Sequence, residues 1–373
     1  MIVISILVTG LYVFLMLYLK TGVSKLKPFV LKSQPSTTNF SIIVPFRNEA
    51  DNLEELLQSF SDLDYPKDQF EIILINDFSS DNYKPIIEGF KDTFPNLSCI
   101  DSEISDISPK KAALNLGISN AQYDWILTTD ADCTVPKNWL KAYNQKIKND
   151  KPFLIAGLVQ FSDVKTFLDR FQTLDLLSLQ ATLLGTFGQQ KPILCHGANL
   201  CYSKALFYEL NGFKSHQNIA SGDDVFLLES ALKRYPDKVT VLNSLEASVT
   251  THTEPIFKKL LSQRTRWAAK ASAYKNANIK IVGLTVFAMN LLLIVLGVLS
   301  LLELFKSQLF LLIFLVKFNI DALILYSTAR YFKQESVLKS YILSSFLYPL
   351  FSVTSVFLGL TNGFTWKGRK FNK

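Results

Sequence analysis

The feature that most constrains this chain of 373 residues is the separation of its apolar runs from its charged residues. Met1 to Leu19 contains no charged side chain and stands directly before Lys20. Three further apolar stretches follow near the other end, at Ile281 to Leu302, Leu309 to Tyr326 and Tyr341 to Leu360. A run of about 20 apolar residues is long enough to cross a bilayer as a helix. Both ends of the chain are therefore predicted to be membrane segments.

Composition supports this division and excludes two classes of protein. Hydrophobic residues make up 49% of the chain, yet it carries 39 Lys+Arg and 32 Asp+Glu. A disordered chain would lack the apolar content, and one ordinary soluble domain would rarely be hydrophobic on average. The net charge of +7 comes partly from Lys and Arg beside the apolar runs, which favours a membrane surface over nucleic acid as the partner.

The boundaries follow from the same pattern. We predict a membrane anchor over 1–20, a polar domain over 36–278, membrane segments over 281–362 and a basic tail over 363–373. The first segment has neither the positive start nor the cleavage site of a signal peptide. Lysines directly after it place the polar domain in the cytoplasm.

The number of membrane crossings stays open at this stage. Four crossings from an outside N-terminus would leave the tail Thr365 to Lys370 outside, against the positive-inside rule. If the rule holds, one C-terminal segment does not fully cross, and the middle one is a candidate because it contains Lys317, Asn319 and Asp321. These residues either form a polar element of functional use or a simple Lys317–Asp321 pair one helical turn apart.

The polar domain alternates short β-rich runs with helical patterns, which predicts a parallel α/β sheet. Phe40 to Pro45, Glu71 to Asn76 and Asp124 to Thr129 are predicted as buried strands. Leu53 to Phe60 and Lys110 to Ile118 are predicted as the helices between them. Neither GxGxxG nor GxxxxGK occurs, which disfavours a dinucleotide site and a P-loop.

Acidic residues stand where two of these strands end. Asn76 and Asp77 follow one strand, and Asp130 and Asp132 follow another. Ligands of open α/β sheets bind at the carboxyl ends of the strands, so these side chains should share one crevice. Two carboxylates spaced as Asp-x-Asp suit a magnesium ion that completes its shell with water and phosphate oxygens. A polar turn is the alternative for the triplet alone.

Seven short motifs occur in a characteristic order. They are VPFRNE (Val44 to Glu49), NDFSSD (Asn76 to Asp81), PKKAALNLG (Pro109 to Gly117), TDADC (Thr129 to Cys133), GANLCYSK (Gly197 to Lys204), SGDD (Ser221 to Asp224) and QRTRW (Gln263 to Trp267). Together they resemble the membrane-bound family 2 glycosyltransferases, which have the GT-A fold, and the resemblance covers Phe40 to Trp267. The expected architecture is an α/β GT-A nucleotide-sugar-binding fold with one N-terminal and about three C-terminal transmembrane segments.

The resemblance implies roles for residues of the nucleotide pocket. Asp77 would contact the base, and Arg47 and Glu49 would line the same pocket. Lys110 or Lys111 would be a cation near the nucleotide. These positions are matched one by one to motifs of the family.

The resemblance also assigns the metal, the base and the acceptor side. Asp130 and Asp132 would hold Mg²⁺ or Mn²⁺ together with the diphosphate. Asp224 would be the general base, with Asp223 beside it. The QxxRW element next to the diphosphate and acceptor would be Gln263, Arg266 and Trp267.

Two positions depart from the family pattern. Asn76 stands where an acid is commoner, which we expect to be tolerated because the second position, Asp77, is the stricter one. Asp223 stands where Glu is usual, so the role of this shorter acid is less defined. One base and no nucleophilic carboxylate implies inversion at the anomeric carbon.

Plainer interpretations exist for the remaining elements. Ser221 to Asp224 matches a helix cap before the run Val225 to Leu232, and a cap could also orient a base. Ile256 to Ala273 is predicted as an amphipathic helix at the membrane interface, where Trp267 and Arg266 could be mere anchors. Thr166 to Phe187 is either a surface-lying helix or core.

The sequence thus predicts an inverting glycosyltransferase of the bacterial inner membrane, with its catalytic domain in the cytoplasm. It would move a sugar from a nucleotide-diphosphate sugar, a UDP-sugar, to a lipid-linked or membrane-proximal glycan acceptor. A processive polysaccharide synthase is the alternative enzyme, and a catalytically inactive membrane scaffold is the alternative of another class.

Overall fold

The computed structural model describes residues 1–103, 108–217, 219, 222–270, 273–361, 364–366 and 369–371. They form two compact units. The sheet unit comprises Lys27–Ser162 and Cys195–His252. The helical unit comprises Met1–Leu26, Asp163–Leu194 and Thr253–Lys373. Residues 163–194 and 253–278, which lie inside the predicted polar domain, thus belong to the helical unit.

The sheet unit is built on a seven-stranded sheet in the order β3-β2-β1-β4-β8-β6-β9. Its strands are β1 (Phe40–Phe46), β2 (Phe70–Asn76), β3 (Leu97–Asp101), β4 (Trp125–Thr128), β6 (Leu154–Ala156), β8 (Leu200–Ser203) and β9 (Val239–Val241). Strands β1 to β4 are mutually parallel, and β8 runs antiparallel to both β4 and β6. A second sheet has the order β5-β10-β7 and contains β5 (Cys133–Thr134), β7 (Val159–Phe161) and β10 (Val249–Thr251).

The central strands form because their apolar residues run without interruption. All seven residues of β2 and all but one of β1 are buried, as expected of a parallel sheet covered on both faces. The three predicted strands are confirmed within one residue at each end. Ile43 of β1 and Ile75 of β2 lie close against α4 where Gly117 leaves room for them.

Six helices accompany this sheet among the described residues. They are α2 (Ala50–Ser61), α3 (Lys84–Phe90), α4 (Pro109–Asn120), α5 (Trp139–Asp150), α7 (Lys204–Glu209) and α8 (Asp223–Arg234). Helix α2 buries Leu53, Leu56, Leu57 and Phe60, the one-face spacing of an amphipathic helix. Both helices predicted between the strands are confirmed, each with a few more residues at its ends.

The helical unit contains α1 (Ile2–Lys25), α6 (Phe167–Gly188), α9 (Phe257–Ala269), α10 (Ala277–Leu301), α11 (Ser307–Tyr331) and α12 (Tyr341–Thr361), with a hairpin of β11 (Phe364–Trp366) and β12 (Arg369–Phe371). Within the described ranges four helical segments are long and apolar enough to cross a membrane. They are Ile2–Lys25, Ala277–Leu301, Ser307–Tyr331 and Glu335–Thr361. One N-terminal and three C-terminal segments are thus confirmed as candidates.

The middle C-terminal segment is as long as its neighbours. Helix α11 has 25 residues and would span about 37 Å at 1.5 Å per residue, more than the roughly 30 Å hydrocarbon core. Its length therefore offers no reason for an incomplete crossing. Lys317 and Asp321 form the expected pair one turn apart, with Nζ to Oδ2 at 2.5 Å.

Helix α6 is core of the helical unit and not a surface-lying helix. Fifteen of its 22 residues are buried, and it packs along α1. Glycines permit the close approach: a Cβ on Gly22 would lie 2.0 Å from the Gly185 carbonyl oxygen, and one on Gly188 would lie 1.8 Å from that of Gly22. Small residues at a helix crossing are what allows backbones to come this near.

Candidate active site

The loops after β1 and β2 are fastened to one another at the carboxyl edge of the sheet. Arg47 Nη1 donates to the carbonyl oxygens of Asp77 at 2.8 Å and Phe78 at 3.0 Å. In return, the Asn48 side chain accepts from the Ser80 backbone N–H at 2.8 Å. Asn48 and Phe78 both have left-handed backbones, with φ of 52° and 54°, which is uncommon outside glycine. Such conformations persist where the surroundings over-determine them, so this edge is preorganised.

Asp77 and Glu49 occupy this edge as the sequence predicts. Asp77 is buried, and its backbone N–H donates to the Phe46 carbonyl at 2.8 Å. Glu49 stands at the start of α2 and accepts from Asn52 Nδ2 at 2.5 Å. Arg47, by contrast, donates to the backbone of the loop that carries Asp77, so its side chain holds that loop in position.

The first departure from the family pattern has a structural reason. Asn76 Nδ2 donates to Asp101 Oδ1 at 2.7 Å and to the Tyr83 hydroxyl at 2.9 Å, while its Oδ1 accepts from the Ser79 N–H at 2.8 Å. An aspartate at this position would set one carboxylate against another. The amide is therefore matched to Asp101 on the neighbouring strand.

Lys110 lies at the centre of the acidic cluster. Its Nζ is 2.7 Å from Asp130 Oδ1. Burial lowers the pKa of Lys110, but the negative charges of Asp130, Asp223 and Asp224 more than offset it, so the pKa lies above its ordinary value. Lys110 is thus paired with Asp130 after β4, and the two acids at the start of α8 also favour its charged form.

Lys111 faces a different environment although it is the next residue. Its side chain is buried, and Nζ donates to the carbonyl oxygens of His216 at 2.6 Å and Ile219 at 2.9 Å. It also lies 5.2 Å above the Phe226 ring. Lys111 thus anchors the segment before α8, and Lys110 is the better candidate for the cation near the nucleotide.

Asp130 and Asp132 follow β4 in a turn, with Asp130 half-buried and Asp132 exposed. Within the ranges the structure describes, no three His, Cys, Asp or Glu side chains are close enough to hold a metal ion by themselves. Magnesium commonly takes only one or two protein carboxylates and shares the ion with phosphates. The pair therefore fits a cation bound together with a diphosphate.

Cys133 follows this pair directly but is no nucleophile. Burial and then the charges of Asp132 and Asp130 raise the pKa of its thiol well above the ordinary value. The thiolate is the reactive form of cysteine. Cys133 therefore contributes to the core below the acidic turn.

Asp223 and Asp224 form the first turn of α8, after Gly222 with φ of +86°. Asp224 Oδ2 accepts from the Gly197 N–H at 3.0 Å, and Oδ1 accepts from the Val225 N–H at 2.8 Å. Two backbone donors thus hold the carboxylate in one orientation. The acids occupy the first turn, but the N-cap residue is Gly222, and no side chain in the described part of the chain caps the helix there. Ser221, the predicted cap, lies outside the described residues.

Gly197 connects this carboxylate to the sheet, which the motif alone does not reveal. The Thr128 hydroxyl at the end of β4 donates to its carbonyl at 2.7 Å. A Cβ on Gly197 would lie 3.3 Å from Asp223 Oδ2 and 3.6 Å from the Asp224 Cβ. A side chain at this position would therefore crowd the Asp223 carboxylate and touch Asp224.

The QxxRW residues lie on α9 in the helical unit. The side chains of Gln263, Arg266 and Trp267 are all half-buried. The residue between them, Arg264, donates from Nη1 to Gln263 Oε1, and its guanidinium carbon lies 4.2 Å from the centre of the Trp267 ring. Arg264 Nε is 2.6 Å from Asp175 Oδ2 of α6, and both side chains are 7% exposed.

Arg264 was missed as a site residue because its charge suggests the polar face of an amphipathic helix. Its only sequence signal is its place inside the QxxRW element, three residues before Trp267. In the structure Arg264 orients Gln263 through a hydrogen bond and packs its guanidinium group against the Trp267 ring. Arg264 is therefore a positioning residue of this element.

Comparison with known proteins agrees with the resemblance carried by the motifs. Residues 41–210 match the model of glycosyl transferase family 2. The solved structure of the mannosyltransferase PcManGT from Pyrobaculum calidifontis, in complex with GDP-Man and Mn²⁺, is similar with a TM-score of 0.59 and 16% identity over 92% of this chain and 97% of that one. The segment 41–210 is therefore similar to the family 2 glycosyltransferases, and the fold of the chain is the expected α/β GT-A fold.

Curated relatives match over part of their length. Glycosyltransferase AglE of Haloferax volcanii is 25% identical over 187 residues, covering 50% of this chain and 58% of the relative. The probable glycosyltransferase YdaM of Bacillus subtilis is 27% identical over 235 residues, covering 61% and 54%. A poly-beta-1,6-N-acetyl-D-glucosamine synthase of Staphylococcus epidermidis is 30% identical over 164 residues, covering 42% and 38%. The matched part thus spans about half the length of the first two relatives.

Proposed function

We propose that this protein is an inverting glycosyltransferase that transfers one sugar from a nucleotide-diphosphate sugar, a UDP-sugar, to a hydroxyl group of a lipid-linked or membrane-proximal acceptor. The product would be a glycolipid or polysaccharide of the cell envelope. The observation that carries the proposal is that Gly197 links the end of β4, which Asp130 follows, to the Asp224 carboxylate through hydrogen bonds of 2.7 and 3.0 Å. This link supports one site for the segments that bind the diphosphate and bear the base in the family.

Asp224 is the base of the proposed reaction. Its carboxylate is oriented by the N–H groups of Gly197 and Val225, and each oxygen keeps a further lone pair. As the acceptor oxygen bonds to the anomeric carbon, its proton passes to Asp224 and the bond to the diphosphate oxygen breaks. One displacement inverts the anomeric centre.

The leaving diphosphate requires positive charge as it departs. Lys110 supplies one cation, since its raised pKa keeps it protonated at neutral pH. A divalent ion, Mg²⁺ or Mn²⁺, held by Asp130 and Asp132 would neutralise the remaining charge. The Mn²⁺ in the mannosyltransferase structure is consistent with this donor set.

The other predicted residues complete the proposal. Asp77 would contact the base in a pocket that Glu49 lines and Arg47 holds in shape. Gln263, Arg266 and Trp267 would contact the diphosphate and acceptor, and Arg264 orients Gln263 and stacks on Trp267. The candidate spans support an integral membrane protein, which we place in the bacterial inner membrane with the sheet unit on the cytoplasmic side.

The test is nucleoside diphosphate release by the purified full chain. The protein in detergent with Mn²⁺, a panel of nucleotide sugars and a lipid extract should release nucleoside diphosphate and form a glycosylated product. Asp224→Asn should lower the turnover about 10²- to 10⁴-fold, the usual contribution of a general base, while nucleotide binding persists. Asp150→Asn, which alters a surface carboxylate paired with Lys146, is the matched control and should keep full activity.

Other results would redirect the proposal. Equal turnover of wild type and Asp224→Asn removes Asp224 as the base. Nucleotide binding without turnover for any sugar in the panel would favour the inactive scaffold, and release of pyrophosphate would indicate a nucleotidyltransferase. Product mass spectrometry separates one added sugar from the long chains of a processive synthase.

A further inference from the structure

The helical unit encloses a cavity that the proposed reaction does not use. It has a volume of about 100 Å³. It is lined by residues of five helices, α1, α6, α10, α11 and α12. Its polar lining includes Tyr12, Asp175, Lys317, Asp321, Ser344 and Tyr348. Ionisable residues inside membrane helices are rare and mark functional sites, so this lining calls for a role.

The charges around this cavity cancel. Lys317 Nζ lies 2.5 Å from Asp321 Oδ2, whose other oxygen accepts from the Tyr12 hydroxyl at 2.6 Å. Asp175 is paired with Arg264 at 2.6 Å and accepts from the Tyr348 hydroxyl at 2.9 Å. Two cations thus balance two anions, and a charged ligand would introduce a charge without a partner.

Two donors nevertheless have capacity left. Ser344 is only 5% exposed, and its Oγ has no hydrogen-bond partner among the described residues. Lys317 is also 5% exposed, and its Nζ has one oxygen partner, with the Tyr12 and Tyr348 rings at 5.4 and 6.0 Å. Buried polar groups in native proteins are nearly always paired, so an acceptor atom is expected to lie here.

Four further hydroxyl groups in the lining each donate to a backbone carbonyl, namely those of Ser178, Thr182, Tyr341 and Ser345. The apolar part of the wall includes Met16, Leu19, Phe171, Leu174, Val286 and Ile324. A cavity with an uncharged but hydrogen-bonding end and a hydrocarbon wall matches an amphiphile better than water alone. The outer faces of α1, α10, α11 and α12 carry many exposed apolar side chains, as expected of helices in contact with lipid.

We propose that this cavity binds the uncharged, hydroxyl-bearing head of a single lipid, of the chemical class of a diacylglycerol. The head hydroxyl accepts from Ser344 Oγ and Lys317 Nζ, and the first carbons of the acyl chains lie against the apolar wall. A phosphate head would be disfavoured because its charge is not compensated in a low-dielectric site. If the proposed function is correct, such a lipid also belongs to the class of hydroxyl acceptors.

Lipid binding to the full chain tests this directly. The protein, purified in a detergent without sugar groups, is titrated with 1,2-dioleoylglycerol and with dioleoylphosphatidate, and lipid adducts are counted by native mass spectrometry. We expect one saturable dioleoylglycerol adduct and weaker binding of the phosphatidate. Ser344→Ala should weaken the adduct about threefold to tenfold, and Ser344→Leu, which fills the cavity, should abolish it.

Controls make each outcome decisive. Ser344→Ala removes no existing hydrogen bond, so its thermal unfolding without lipid should match wild type. Ser327→Ala, on the exposed side of α11, should leave binding unchanged. Absence of a saturable adduct, preference for the phosphatidate, or unchanged binding by Ser344→Ala overturns the proposal. No sugar donor is present, so failure here is independent of whether nucleoside diphosphate is released.

Discussion

The two units differ in how far they bury an ion pair between a basic residue and an aspartate. In the sheet unit, Lys110 and Asp130 form a pair whose side chains are 20% and 36% exposed. In the helical unit, Arg264 and Asp175 form a pair in which both side chains are 7% exposed. A partly exposed pair can exchange its partner for a ligand, whereas a buried pair cannot lose a partner without leaving an unpaired charge. The first arrangement suits a binding site and the second suits a rigid support.

The largest effect is expected from breaking the buried pair. Among the described residues, Arg264→Met leaves the buried Asp175 carboxylate with the Tyr348 hydroxyl as its side-chain partner, which should lower the free energy of unfolding by about 3–5 kcal/mol. Unfolding of the purified protein in detergent, followed by tryptophan fluorescence, measures the change. Arg234→Met, which breaks an exposed pair with Glu209, should leave the free energy of unfolding nearly unchanged.

A double variant separates loss of the pair from loss of packing. Arg264→Met combined with Asp175→Asn removes both charges and keeps an acceptor for Tyr348, so most of the stability should return. If the single variant is as stable as Arg234→Met, the contrast between the two units is wrong.

The sheet edge was predictable because its signals are local. The apolar runs of β1, β2 and β4 and the polar residues that follow Ile75 and Thr128 place the acids at the carboxyl ends without any knowledge of tertiary contacts. Asp224 was assigned from the order of the seven motifs. A strand and its end can be predicted because the signals lie in adjacent residues.

The supports of the site were not predictable for the opposite reason. Asp224 and Gly197 meet across 27 positions, and Arg264 and Asp175 meet across 89. Helix α6 lies between strands in the sequence, yet it belongs to the helical unit, where Gly22, Gly185 and Gly188 bring it against α1. Contacts between residues so far apart in the sequence depend on tertiary packing, which a local sequence pattern does not predict.

The next largest effect is expected from breaking the partly exposed pair of Lys110 and Asp130 in the sheet unit. Lys110→Met removes the cation beside Asp130 and should lower kcat/KM for the donor about 100-fold, the usual effect of losing one electrostatic stabiliser of developing charge. Lys110→Arg keeps a positive charge and should therefore retain part of the kcat/KM that Lys110→Met loses. Lys141→Met, which breaks a surface pair with Asp64, is the matched control and should keep the wild-type rate.

The pH dependence of Lys110 follows from the direction of its shift. Its pKa in the folded protein lies above the ordinary value of about 10.4, because Asp130, Asp223 and Asp224 outweigh the effect of burial. The stabilising interaction of protonated Lys110 with these aspartates is therefore complete below about pH 10.4, and it is lost only as the pH rises through the folded-state pKa of Lys110. The ratio of wild-type to Lys110→Met rates should stay constant between about pH 6 and 9. A ratio that collapses in this range would contradict a protonated Lys110.

A smaller effect is expected from crowding the base. In Gly197→Ala the new methyl group would lie 3.3 Å from Asp223 Oδ2, so the carboxylate must shift by a few tenths of an ångström. We expect kcat to fall about tenfold with little change in stability, because such small misplacements at a base are costly. Gly89→Ala in α3, where nothing lies within 4 Å, should not slow the enzyme. Equal rates for both variants would show that Gly197 does not position the acids.

The smallest effect concerns the contact between Asn76 of β2 and Asp101 of β3, where the chain departs from the pattern of the family 2 glycosyltransferases. Asn76→Asp replaces the donor to Asp101 by a second carboxylate, which should cost about 1 kcal/mol of stability at pH 7. Because like charges favour protonation, the penalty should shrink as the pH falls toward 4 and one carboxyl takes up a proton. Adding Asp101→Asn reverses the polarity of the pair and should restore stability at neutral pH, as measured by thermal unfolding. If Asn76→Asp is as stable as wild type at every pH, the amide is not what this sheet edge requires, and the departure from the family acid has another cause.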